Sequence, residues 1–101
     1  MITNTDFQTF GFIGLGLIGG SIARAIREKY PSSRILVFDV DPNTMELALT
    51  SGVASETTGS VNEAFAQCDC VFLCAPVSDN AHNLSLLKEY TSDTCLITDV
   101  G

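Results

Sequence analysis

Four short apolar runs set the frame of this chain: TFGFI (Thr9–Ile13), RILVF (Arg34–Phe38), CVFLCA (Cys70–Ala75) and TCLIT (Thr94–Thr98). Consecutive apolar residues suit strands covered on both faces, as in a parallel sheet. The stretches between them carry helical spacing. Ile18, Ile22, Ala25 and Ile26 fall on one stripe, and Pro31 forces the helix to end before it. Asp41-Pro42 reads as an N-cap and first helical position, and Gly52 as the residue just past that helix. Val53–Glu56 gives a brief third strand. Ser60 and Glu63 have capping-box spacing, opening a short helix through Phe65 and Ala66. A last helix over 79–90 puts Leu84, Leu87 and Tyr90 on one side. Five strands alternating with helices predict an α/β fold: a doubly wound parallel sheet of order 3-2-1-4-5, incomplete at the carboxy end.

The 101 residues make one domain, and 46% hydrophobic against 17% charged content is that of a folded chain. A net charge of −7 leaves nothing to neutralise a row of phosphates, so nucleic acid and anionic membrane surfaces are excluded as partners. No window reaches the ~18 apolar residues of a membrane span. The opening MITNTDF has neither the charged nor the apolar segment of a secretion signal, so a cytoplasmic location is expected. Cys68, Cys70, Cys74 and Cys95 form no CxxC pair and have no nearby histidine. They read as reduced, buried thiols, with no metal site.

Five of the eight glycines lie within Gly11–Gly20, where a strand gives way to a helix. Gly14-Leu15-Gly16-Leu17-Ile18-Gly19 matches GxGxxG. In that setting Gly14 permits a tight turn, Gly16 lets the backbone approach a pyrophosphate, and Gly19 lets helix and strand pack closely. The unpaired amides of the helix start favour phosphate, and the absence of a GKS or GKT sequence excludes a mononucleotide P-loop. Asp39, twenty residues after Gly19 at the end of the second strand, suits the adenosine ribose hydroxyls and repels a 2′-phosphate, which favours NAD over NADP. Cys74-Ala75-Pro76-Val77 closes the fourth strand beside the topological switch point and is expected to pass over the cofactor. Together these make a Rossmann-type dinucleotide-binding domain over residues 1–101.

Other polar residues read as scaffold. His82 falls on a solvated helix face, Asp69 in a turn, and Arg24, Arg27, Glu28 and Lys29 on the outer face of the first helix. Asp99, ending the fifth strand, either orders the floor of the site or begins a turn.

GLGLIGGSIARAI, VFDVDP, CAPV and ITDVG, in this order and spacing, resemble the amino-terminal domain of the prephenate dehydrogenase family. The doubled Gly19-Gly20 followed by Ser21 is the finer part of the match, and ITDVG resembles the family's TD-x-G segment. The resemblance implies an NAD-dependent oxidoreductase of tyrosine and aromatic amino acid biosynthesis. Such an enzyme takes hydride from the prephenate carbon bearing the hydroxyl, and loss of carboxylate then gives 4-hydroxyphenylpyruvate. It implies that Gly14, Gly16, Leu17, Ile18, Gly19 and Asp39 hold the adenosine diphosphate half of NAD, with Cys74, Ala75, Pro76 and Val77 lining the remainder. It places the catalytic histidine and arginine downstream of Gly101, in a substrate and dimerisation domain absent from this chain. No catalytic residue is expected within 1–101, and these residues alone are expected to be inactive. Homodimerisation would run through that other domain.

The residues alone leave other readings open. A β-hydroxyacid dehydrogenase or pyrroline-5-carboxylate reductase shares the glycine turn. A non-catalytic NAD-sensing module carries both turn and acid, and an S-adenosylmethionine methyltransferase uses a similar pair.

Overall fold

A computed structural model describes residues 8–75 and 77–100. Its order is β1 (Thr9–Ile13), α1 (Gly16–Lys29), β2 (Arg34–Phe38), α2 (Pro42–Thr50), β3 (Glu56–Thr57), a 3₁₀ segment (Glu63–Gln67), β4 (Cys70–Leu73), α3 (Val77–Tyr90) and β5 (Leu96–Asp99). All pairings are parallel and the strand order is β3-β2-β1-β4-β5, as the apolar rhythm predicts. The chain therefore reverses direction across the sheet between β1 and β4, the position at which doubly wound sheets open a crevice at their carboxyl edge.

Because side chains alternate along a strand, β1, β2 and β4 each feed two separate cores. Phe10, Phe12, Ile35, Val37 and Cys70 face α1 and α2, where Ala23 and Ala48 meet them. The rings of Phe12 and Phe72, on adjacent strands, stack with centroids 5.0 Å apart. Ile13, Leu36, Val71 and Leu73 face the other way, onto Phe65 and Leu87. Gly11 belongs to this second face. A Cβ there would lie 2.9 Å from the Phe65 ring and 2.8 Å from Cys68 Sγ, so its hydrogen is what lets Phe65 bury completely.

Several boundaries move, each for a local reason. The buried stripe of α1 is Gly19, Ile22, Ala23 and Ile26, while Ile18 is 57% exposed, because the helix approaches the sheet at its glycine. The third strand is Glu56–Thr57 rather than Val53–Glu56: Ala54 is drawn into the first core and its N–H bonds to the Ala48 carbonyl. Asn62, not Ser60, caps the short helix by accepting the Ala64 N–H at 2.8 Å. That helix is a 3₁₀ turn, the usual form of so short a piece. β4 ends at Leu73, two residues before Ala75, and β5 shifts to Leu96–Asp99 after a turn in which the Cys95 N–H meets the Ser92 carbonyl.

Two charged residues are structural where sequence suggested a turn and a solvated face. Asp69 Oδ2 accepts the N–H groups of Gln8 and Thr9, pinning the start of β1 beside β4. The Arg27 guanidinium donates to the carbonyls of Pro31, Ser33 and Val53 and to Ser55 Oγ, tying α1 to the entries of β2 and β3.

Candidate functional site

The turn between β1 and α1 is built by glycine conformations and by one carboxylate. Gly14 has φ +79° and Gly16 φ +55°, the left-handed region that favours glycine. The Gly14 N–H bonds to the Phe38 carbonyl at 2.8 Å, holding the turn against the end of β2. A Cβ on Gly14 would meet the Ala75 backbone nitrogen at 2.7 Å, so the turn and the β4–α3 loop touch main chain to main chain. Gly19 sits against Cys74, with a Cβ placed there 3.1 Å from its sulfur. Gly16 differs from both: nothing lies within 4 Å of the Cβ position, and the space it faces is open.

Asp39 ends β2 and spans the gap. Its Oδ2 accepts the Leu15 N–H and its Oδ1 the Asp41 N–H, each at 2.9 Å. A carboxylate has about four lone-pair sites, so two remain for groups arriving from solvent. The next residue in the turn starts α1 with no side-chain cap and no acidic residue in the first turn. The first amides of a helix lack internal partners, and with the helix dipole they form a ready anion site.

These pieces border a cavity of about 500 Å³ at the carboxyl edge of the sheet. Gly14, Leu15 and Gly16 form one wall and Phe38, Asp39 and Val40 a second. Ser60 and Val61, after β3, close a third side, and Cys74 and Ala75 the floor beneath the turn. The last wall is one face of α3: Asp79, His82, Asn83 and Leu86. The adjoining face carries Leu84 and Leu87 into the core, against which Leu86 also packs. A volume of this size is in the range of small-molecule and cofactor sites.

Of the residues singled out from sequence, Gly14, Gly16, Asp39, Cys74 and Ala75 line this cavity. Gly19 supports it from behind. The side chains of Leu17 and Ile18, 93% and 57% exposed, point to solvent, so what they offer the site is main chain. Pro76 lies outside the described residues, and Val77 is described only as the first residue of α3. Asp99 accepts a 3.0 Å bond from Asn80 Nδ2, linking the end of β5 to the first turns of α3. His82, read as merely solvated, is exposed but borders the cavity. The 79, 82, 83, 86 spacing of that wall was present in the sequence; what was missing was which face of α3 the sheet covers.

The cavity's thiol is held protonated. Burial, aided by the Asp99 carboxylate, pushes Cys74 up to about 11, which leaves it a packing group and a poor nucleophile. All four cysteines are free, and among the described residues no group of three or more His, Cys, Asp or Glu side chains is placed to hold a metal. No helix among them is long and apolar enough to cross a membrane.

A sequence profile described as "Prephenate dehydrogenase, nucleotide-binding domain" matches residues 22–101. The chain belongs to the prephenate dehydrogenase nucleotide-binding domain family. The match takes in Asp39, the CAPV loop and ITDVG, and starts just after the glycine turn. The prephenate dehydrogenase of Bacillus subtilis is 36% identical over 98 residues, covering 93% of this chain and 26% of that protein. The cyclohexadienyl dehydrogenase of Zymomonas mobilis is 33% identical over 97 residues, covering 96% of this chain and 33% of that protein. Among solved structures, the Aquifex aeolicus prephenate dehydrogenase in complex with hydroxyphenyl propionate and NAD+ superposes with a TM-score of 0.87. That pair is 27% identical over 96% of this chain and 34% of the other. The chain thus spans a quarter to a third of the length of these members of the prephenate dehydrogenase family.

Proposed function

We propose that this chain binds NAD at the carboxyl edge of its sheet, as the nucleotide-binding part of an enzyme that oxidises prephenate. The observation carrying this reading is the contrast among the glycines. Gly14 and Gly19 are filled by the chain's own Ala75 and Cys74, whereas Gly16, held at φ +55° beside an uncapped helix start, faces open space. A dinucleotide pyrophosphate is the group that such a space and such amides accept.

The residues present fit the rest of that cofactor. Asp39 keeps two acceptor sites for the ribose hydroxyls, and its charge disfavours a ribose bearing phosphate. Main-chain amides at Gly16, Leu17 and Ile18 face the pyrophosphate. Cys74 and Ala75 border the half nearer the switch point. Bound NAD would supply a hydride acceptor. This chain's residues bind and orient it, and none of them is proposed as an acid or base.

The relatives' names support prephenate as the substrate of the whole protein, with the proton-handling and carboxylate-binding groups outside residues 1–101. A dimer formed through that further part and a cytoplasmic location complete the proposal. Titrating the chain with NADH and following its fluorescence tests the central claim. Saturable binding, with NADPH at least about tenfold weaker because of Asp39, is expected. Equal affinity for the two, or no binding, would overturn it.

A further inference from the structure

The dinucleotide reading leaves one wall of the cavity without a role: the face of α3 carrying Asp79, His82, Asn83 and Leu86. It shares that cavity with Asp39 and Val40, which follow β2, and with Val61, which follows β3 by a few residues. With a ribose on Asp39, the base attached to it would meet the slot that Val40, Val61 and Leu86 line. Those three side chains give apolar surface to a flat ring. In the same slot Asn83 is half-buried, and its carboxamide makes no hydrogen bond within the described chain. An amide left free in a mostly apolar slot offers an acceptor oxygen and a donor NH₂ group side by side in one plane.

Resting on the dinucleotide reading, we infer that Asn83 reads the adenine base. Its carbonyl accepts from the exocyclic amino group and its NH₂ donates to N7, the pairing by which asparagine distinguishes adenine in other settings. Asp79 and His82, its neighbours on the wall, are exposed. Asn83 is thus a specificity-determining residue for the base, a task separate from that of Asp39, which selects at the ribose.

The test compares NAD with nicotinamide hypoxanthine dinucleotide, in which an acceptor oxygen replaces the amino group. Calorimetric titration of the wild-type chain should favour the adenine form by about tenfold, the worth of one or two net hydrogen bonds. Asn83→Leu should bring the two to within about twofold of each other, chiefly by weakening NAD. Asn83→Ala should do the same, and far-UV circular dichroism of both variants checks that α3 is intact. Saturable binding by the wild type reports the dinucleotide site, whereas the ratio of the two dissociation constants reports Asn83. Equal wild-type affinities would leave the site standing and remove Asn83 from base reading. Binding of neither dinucleotide would overturn both. Repeating the comparison in His82→Ala separates Asn83 from its neighbour on the wall. A preference lost in that variant would assign the base to His82 and defeat the inference, while one retained there supports it.

Discussion

The carboxylate of Asp39 accepts the backbone N–H of Leu15 at 2.9 Å, so the end of β2 fixes the shape of the turn that follows β1. Its second oxygen takes the Asp41 N–H. Asp39 therefore serves the fold, beyond the role proposed for it at the ribose. Asp39→Asn keeps one acceptor oxygen and points an NH₂ group at a backbone donor. The expected loss is about 1–2 kcal/mol of stability, together with weaker NADH binding and a narrower gap to NADPH. Thermal melting and fluorescence titration measure the two effects separately. Unchanged melting would mean that water replaces the lost acceptor.

Gly11 and Gly16 should respond to alanine in opposite ways. At Gly11 a methyl group strikes Phe65 and Cys68 within 2.9 Å in a closed core, so Gly11→Ala should cost about 1–3 kcal/mol. Trimming the partner in Gly11→Ala/Phe65→Leu should recover part of that cost, a coupling that a double-mutant cycle reads. At Gly16 the methyl meets nothing, and only the φ of +55° resists it, at about 1 kcal/mol. Dinucleotide affinity should fall much further than stability does.

Arg27 is the arginine whose replacement the fold should feel most. Its guanidinium serves three carbonyls and one hydroxyl at distances of 2.7–3.3 Å. Lysine offers one nitrogen where that geometry needs a planar fork. Arg27→Lys and Arg27→Ala should both destabilise, by about 1–3 kcal/mol, whereas Arg24→Ala on the exposed face should be close to neutral. Urea denaturation would decide, and full rescue by lysine would show that charge alone matters.

The thiols set an alkaline limit. Burial pushes Cys68 up to about 12 and Cys70 up to about 11 from 9.0, with neighbouring negative charge adding to it. The folded state thus holds these protons more tightly than the unfolded chain does. Their contribution is intact below pH 9 and drains away as the pH rises towards 11–12. Melting temperature should drop by several degrees over that interval, and less steeply in a Cys68→Val/Cys70→Val variant. Parallel slopes for the two proteins would assign the loss to other groups.

The strands that carry the site were legible from residues alone. RILVF and TFGFI fell where the apolar runs put them, and Asp41-Pro42 and Gly52 marked α2, because those signals are local. What stayed hidden depended on partners far along the chain. Gly11 has no reason until Phe65 arrives, and Arg27 looks like a surface charge until Val53 and Ser55 pass beneath it. Asn62 took the cap from Ser60 because the segment folded as a 3₁₀ turn, which periodicity does not distinguish. The α3 wall of the cavity needed the sheet to choose one face of that helix. The glycine turn and Asp39 could be placed after β1 and β2 from the residues alone, but the hydrogen bond between them could not.

The division of the core into two faces also bears on the order in which the protein can be made. The buried residues of the face toward α1 and α2 lie between Phe10 and Ala54 except for Cys70, and of the half-buried ones packed on them only Phe72 and Cys74 come later. The opposite face draws on Val61, Phe65, Val71 and Leu87 as well. A chain emerging from the ribosome thus holds nearly all of its first layer, with the glycine turn and Asp39 already in it, before the residues that bury Gly11 and complete the α3 wall have been synthesised.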